Sequence, residues 1–265
     1  MRLEPLAHHV TCRLVEDRVL APSRVARLAV MRWVLPRVEE AELIAFALAD
    51  THLHAVLLGP RRRAGCFVRR LETGLHVRAR PGVPFAAAHF KPVRDVWHLE
   101  NCFWYVLDQH AKHELAADPL REGTLLPDLL GLRVGGTCLA ARVREQLPRV
   151  GSAALRQRLG FDRSSEGRPE HLEVAAAAAV LLPDLRGGCR STLAARRAAV
   201  HLGLARWPAA RVRETLELPR RTMSRHAATS VEPGLIRAVA LQLALRGGRA
   251  IHGDPEAQRG PIWPG

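Results

Sequence analysis

The sequence predicts an α+β protein, with helices packed on an antiparallel sheet over residues 1–118 and a helical remainder. Three observations carry that expectation. Extended and helical signals alternate in the order β-α-β-β-α-β-α across the first 116 residues. Two apolar runs, LIAFALAD (43–50) and HLHAVLLG (52–59), meet at Asp50-Thr51, as the arms of a buried hairpin would. From Gly187 to Gly248 the pattern is helical almost throughout.

The first strand is expected over Leu6 to Val15 (LAHHVTCRLV), followed by a helix from Pro22 to Leu35 with proline at its first turn. After the hairpin, RRRAGCFVRRLETGLHVRA (61–79) reads as a basic helix. A short strand is expected near 85–91. A further helix should run from about Val96 to Leu115, with Trp97, Phe103, Trp104 and Leu107 supplying apolar contacts. Residues 119–185 read as a helical connector, with short helices at LLPDLLGL and CLAARVREQL, a surface loop at SSEGRPEH, and a buried helix at AAAAAVLL (175–182). Residues 186–250 read as a basic helical domain, and 251–265 as a flexible tail.

With 265 residues, 48% of them apolar, the chain can build a sizeable core, which excludes a wholly disordered protein. No run approaches the roughly 18 apolar residues of a membrane span. The N-terminus carries Glu4 and Pro5 and has no apolar core segment, so no secretory leader is expected there. Five scattered cysteines without a CxxC pair argue against a disulfide framework or a zinc knuckle, and for a reducing, cytoplasmic setting.

A formal charge of +14 points to a polyanionic partner, most simply nucleic acid. The charge is +5 over residues 1–116, zero over 117–185, +10 over 186–250 and −1 in the tail, which suggests two nucleic-acid-contacting modules. Of 40 basic residues only Lys91 and Lys112 are lysines, a bias that reads as a GC-rich genome rather than selection for guanidinium chemistry.

Candidate chemistry begins at His52-Leu53-His54. On a strand, positions i and i+2 face the same side, so both imidazoles can share a metal ion. With 13 histidines in the chain the spacing alone proves nothing. Tyr105 adds weight: it is the sole tyrosine, and Gln109 lies one helical turn further on, which puts phenol and carboxamide on one face. Read singly, Tyr105 could equally be an amphipathic core residue and Gln109 a solvated helix position. Together they suit phosphodiester cleavage. A tyrosyl oxygen can attack and later leave with similar ease, which conserves bond energy for rejoining. A divalent ion polarises and orients the phosphate, and two imidazoles with an amide oxygen suit Mn²⁺ more naturally than Mg²⁺.

The strand containing HHVTCR, the hairpin ending THLHAVLLG and the helix containing YVLDQ resemble the single-tyrosine HUH transposases over residues 5–116, especially the REP-associated tyrosine transposases and their insertion-sequence relatives. The resemblance implies a ferredoxin-like sheet (the HUH endonuclease fold) with Tyr105 as nucleophile forming a 5′-phosphotyrosine. It further implies His52, His54 and Gln109 as ligands of Mg²⁺ or Mn²⁺, and single-stranded DNA with hairpin structure as substrate. The chain departs from that family in having Ala49-Asp50-Thr51 where a Met-Pro-Asn stretch is usual, and Gln109-His110 where many REP-associated members have Asn-Pro.

Other DNA contacts are expected from Arg61, Arg62, Arg63, Arg69 and Arg70, for which a solvated helix face is the alternative. AARVRETLEL, a proline, then RRTMSRHA has the cadence of a helix-turn-helix presenting Arg220, Arg221 and Arg225 to duplex DNA, with Pro219 at the first turn. A basic helical bundle that contacts no DNA is the alternative. His110 and His113 read as surface histidines. The expected activity is cleavage and rejoining of single-stranded DNA by a nucleoid-associated monomer or homodimer. A catalytically silent DNA-binding regulator competes with it, and a replication initiator or relaxase of the wider group fits less well.

Overall fold

The structure is a computed structural model describing residues 4–79, 82–113, 118–135, 137–160 and 166–247. It divides into two compact units. One holds the described residues up to 129 with 137–155, and the other holds 130–135 and 156–247, so the stretch 119–185 is shared between them. The 251–265 tail and residues 164–165 of the expected loop lie outside the described residues.

The first unit is α+β, built on a four-stranded antiparallel sheet. Strand β1 (Ala7–Arg13) is followed by helix α1 (Arg24–Val34), strands β2 (Leu43–Leu48) and β3 (His52–Leu58), helix α2 (Arg61–Ala79) and strand β4 (His89–Val93). The order across the sheet is β2-β3-β1-β4, which interleaves two β-α-β units and is compatible with a ferredoxin-like arrangement. Every residue of β2 and all but His52 in β3 are buried, so these strands read as continuous apolar runs.

Three sequence expectations shift. Pro22 stands before the helix; Ser23 is the cap, its hydroxyl accepting from the Ala26 amide at 3.2 Å. The fourth strand begins at His89 rather than near 85, because Phe85 makes only an isolated bridge to Leu14 while regular pairing starts at His89 opposite Thr11. Pro92 is tolerated because β4 is an edge strand. Third, the helix expected over 96–115 is broken: α3 (Val96–Leu107) ends before Asp108, and a separate turn, α4 (Gln109–Lys112), follows. In a continuous helix the Gln109 backbone N–H would bond to the Tyr105 carbonyl; here the Gln109 side-chain Nε2 donates to it at 2.8 Å. Residues 114–115 of that expected helix lie outside the described residues.

Side-chain alternation sorts the sheet into two faces. Val10 and Cys12 point to one, where α1 and α2 pack: the Arg61 guanidinium lies 3.2 Å from the Phe90 ring centroid, and Phe90 pairs with Val10. Helices α1 and α2 approach closely at Gly74, where a Cβ would fall 2.3 Å from Trp33 Nε1. His9, Thr11, His52 and His54 point to the other face, covered by α3. There Leu99, Cys102, Phe103 and Val106 recur at helical spacing and are buried. Asp95 caps this helix by accepting from the His98 amide at 2.8 Å. Trp97, expected to pack, is instead 63% exposed, with the Arg149 guanidinium 4.4 Å from its ring centroid.

Short helices α5 (Leu126–Leu129) and α6 (Thr137–Gln146) complete the first unit, and the division falls within α7 (Ser152–Leu159). The second unit is helical, with α8 (Leu172–Ala179), α9 (Arg190–Leu204), α10 (Ala209–Thr215), α11 (Arg220–Ala227) and α12 (Pro233–Gly247). The alanine run is buried, as expected, against α9 and α12. Small side chains let these helices lie close together: a Cβ on Gly203 would sit 2.9 Å from Val212 and 3.0 Å from Leu172. No helix among the described residues is long and apolar enough to cross a membrane.

Candidate active site

Strand pairing builds the site. In the β1–β3 ladder Thr11 stands opposite His54 and Arg13 opposite His52, and His9 shares their face. The rings of His52 and His54 are 4.7 Å apart between centroids, so the same-face expectation for this pair holds geometrically. His54 is only 3% exposed. Its Nδ1 lies 3.0 Å from His9 Nε2 and 3.2 Å from Thr11 Oγ1, while its Nε2 is buried with no partner among the described residues.

Tyr105 projects from α3 beside this cluster and is 41% exposed. Its ring stands 5.5 Å from those of both His9 and His54, edge-on to each. Lys112 Nζ sits 3.5 Å from the centroid of the phenol ring, within reach of a cation–π contact. Gln109 is fully buried; its amide nitrogen is committed to the Tyr105 carbonyl, and its Oε1 has no partner among the described residues. Arg121 supports the helix break behind it, donating to the Leu107 carbonyl at 3.1 Å and lying 3.8 Å from the Asp108 carboxylate.

Burial sets the protonation states. It pushes His54 down to about 3, helped by the charges of His9, His52, His113 and Lys112. It pushes His9 down to about 4, helped by Lys91, His89 and His98. His52 is also lowered, first by burial and then by His113, against the opposite pull of Asp50 and Asp17. His9 and His54 are therefore neutral at pH 7.

Among the described residues no three His, Cys, Asp or Glu side chains converge to hold a divalent cation by themselves. The buried atoms left over are a neutral imidazole nitrogen and a carboxamide oxygen, both lone-pair donors. A hydrogen bond through His54 Nδ1 to Thr11 or His9 would fix the tautomer with its Nε2 lone pair free, the usual support behind a ligating histidine. In donor chemistry, though with no convergence of three such side chains, His54, Gln109 and the neighbouring His52 are compatible with a divalent cation.

Three residues of this cluster escaped the sequence reading, which gave no role to His9, Thr11 or Lys112. His9 was visible within HHVTCR, but its place depended on the pairing of two strands 45 residues apart. His113, expected as a surface histidine, is exposed and stands 4.8 Å from the ring of His52.

The basic residues of α2 lie on the opposite face of the sheet, so they cannot grip the same phosphate as Tyr105. Arg61 lies on Phe90, Arg63 pairs with Glu42 at 2.7 Å and Arg70 pairs with Glu40, while Arg62 and Arg69 are exposed. With Arg37, the residues Arg62, Arg63 and Arg70 line a cleft of about 340 Å³. In the second unit, α10 and α11 are joined by a short turn, and Arg220, Arg221 and Arg225 are exposed while Met223 and His226 face the core. Pro219 is the residue before α11 rather than within its first turn.

Compared with protein-family models, with curated proteins and with solved structures, the chain matches none.

Proposed function

We propose that the first unit cleaves and rejoins single-stranded DNA, with Tyr105 as the nucleophile and a hairpin beside the cleavage point as the recognised feature. The observation that supports this most is the pair of unpartnered buried atoms, His54 Nε2 and Gln109 Oε1, next to the one tyrosine of the chain. Keeping two lone-pair donors buried and unpaired costs about 1–3 kcal/mol each, a cost that stability alone does not explain. This is the single-tyrosine HUH chemistry that the sequence resembles.

In the reaction the Tyr105 oxygen attacks phosphorus, the bond to the 3′-oxygen breaks, and that oxygen leaves with a proton as a 3′-hydroxyl. A 5′-phosphotyrosine remains, and attack by a 3′-hydroxyl reverses the step. Bound at His52, His54 and Gln109, Mg²⁺ or Mn²⁺ would supply charge neutralisation on the non-bridging oxygens. The protein supplies placement: α3 presents the phenol at the surface, the link from Gln109 to the Tyr105 carbonyl ties ligand to nucleophile, and the buried neutral imidazole of His54 need lose no proton to coordinate.

Incubation of the full chain with a labelled hairpin oligonucleotide and Mn²⁺ should give an adduct that survives denaturation. Tyr105→Phe and a chelator should each abolish it, and an oligonucleotide without the hairpin should react poorly. Equal reaction by Tyr105→Phe would overturn the proposal.

A second reading, a DNA-binding regulator without cleavage, is favoured by the exposed arginines of α11. Tight duplex binding that needs no metal, with no adduct on any hairpin, would select it.

A further inference from the structure

Arginine serves for nearly every positive charge in this chain: of 40 basic residues, only Lys91 and Lys112 are lysines. Both come to the face of the sheet that carries the imidazoles and the phenol. Lys112 lies over the Tyr105 ring at 3.5 Å, and its charge reaches His54. Lys91 stands directly opposite His9 in the β1–β4 ladder, so its side chain leaves the sheet on the same side, and its charge reaches His9 and Cys102 of α3. Both lysines are exposed, and neither forms an ion pair among the described residues.

The transverse order of the cluster follows from the sheet. His54 is on β3, His9 on the neighbouring β1 and Lys91 on the edge strand β4, two strand spacings or about 10 Å across. Lys112 lies over the Tyr105 ring and its charge reaches His54 on β3, while Lys91 on β4 stands opposite His9, whose ring is 5.5 Å from that of Tyr105. His89 and His98 add polar nitrogen at the β4 end, and Arg94 is exposed just beyond β4. A short, compact ammonium with three rotatable donors meets a phosphate oxygen as a point charge, whereas guanidinium presents a longer planar fork. In a chain this rich in arginine, two lysines at one site mark positions where the smaller head group is needed.

We propose that Lys91 and Lys112 are binding residues holding phosphates of the single strand on either side of Tyr105. The strand then crosses the His9 face toward the β4 edge, away from the arginines of α2. The proposal rests on the reading of Tyr105 as nucleophile and specifies how its substrate is held.

The test measures affinity of a fluorescent single-stranded hairpin oligonucleotide for the full chain carrying Tyr105→Phe, over a series of salt concentrations. On that background, Lys91→Gln and Lys112→Gln should each flatten the dependence of log affinity on log salt by about 0.7, with the two effects adding in the double variant. Lys91→Arg and Lys112→Arg should restore that slope. In the chain that keeps Tyr105, the same arginine variants should form adduct at least several-fold more slowly. Arg62→Gln and Arg69→Gln on α2 should leave the slope unchanged. Melting temperature checks folding, and because both lysines are exposed the variants should match the parent. Binding with an unchanged slope in both lysine variants, or a slope that follows Arg62 and Arg69, overturns this strand path and leaves the role of Tyr105 standing. Absence of oligonucleotide binding at every salt concentration overturns both.

Discussion

The side-chain amide of Gln109 donates to the main-chain carbonyl of Tyr105 at 2.8 Å, and the oxygen at the other end of that amide is buried with no partner among the described residues. One side chain thus ends a helix and aims a lone pair. The tie runs through the backbone of the proposed nucleophile, so anything that binds the oxygen also restrains Tyr105.

Gln109→Leu tests that double role. It removes the buried unpaired oxygen, which favours folding, but also the donor to the Tyr105 carbonyl, which costs about 1–3 kcal/mol, so the two effects offset only in part. The expected outcome is a modestly lower melting temperature, with the chain still folded at assay temperature, together with loss of metal-dependent adduct. The loss should exceed the roughly 10–100-fold typical of removing a partner behind a ligand. Thermal unfolding and a gel-based adduct assay on the same preparation check both halves.

The fold should weaken in mild acid. His54 and His9 are pushed down to about 3 and about 4 in the folded protein, whereas in the unfolded chain each takes a proton near the ordinary value of 6.5. Above that value both states are neutral at these rings and the stability is intact. As pH falls below it the unfolded chain gains protons first, and stability drops by up to about 1.4 kcal/mol per pH unit for each histidine until the folded values are reached. Urea midpoints at pH 7.5 and pH 5 should show the loss, and His54→Asn should shrink it. An unchanged midpoint would mean these rings are not held neutral.

Arg121 carries the support behind the site. Arg121→Met removes its bond to the Leu107 carbonyl and its charge beside Asp108, and should cost about 1–3 kcal/mol. The helix break should loosen, so adduct formation should fall more than folding does at a temperature where the variant remains native. Denaturant unfolding and single-turnover adduct rates measure the two effects separately.

The sequence carried much of the first unit and only half of the cluster. Buried apolar runs made β2 and β3 readable, and the basic amphipathic stretch gave α2 its observed bounds, Arg61–Ala79. Strand parity was enough to place His52 and His54 on one face. The fourth strand was less legible because HFKPV mixes charge, aromatic and proline, as an exposed edge allows. His9 and Thr11 depended on the β1–β3 register, which no local pattern encodes. The break at Asp108 was hidden because a side-chain amide replaced one helical bond.

The helical unit makes a separate prediction. If α11 meets duplex DNA, replacing Arg220, Arg221 and Arg225 with Gln should weaken duplex binding and lower the salt slope by roughly 0.9 for each phosphate that α11 no longer neutralises. All three are exposed, so the melting temperature should hardly move. Unchanged duplex affinity in the triple variant would remove α11 from the interface.

The proposed reaction turns on one oxygen atom, the phenol of Tyr105. Digesting the protein after reaction with a hairpin oligonucleotide and Mn²⁺, trimming the DNA with nuclease, and sequencing the peptides by mass spectrometry tests it most directly. The account predicts a nucleotide joined through its 5′-phosphate to the peptide that contains Tyr105. A nucleotide found on any other residue, or an unmodified Tyr105 peptide from a preparation that has cleaved its DNA, would contradict it.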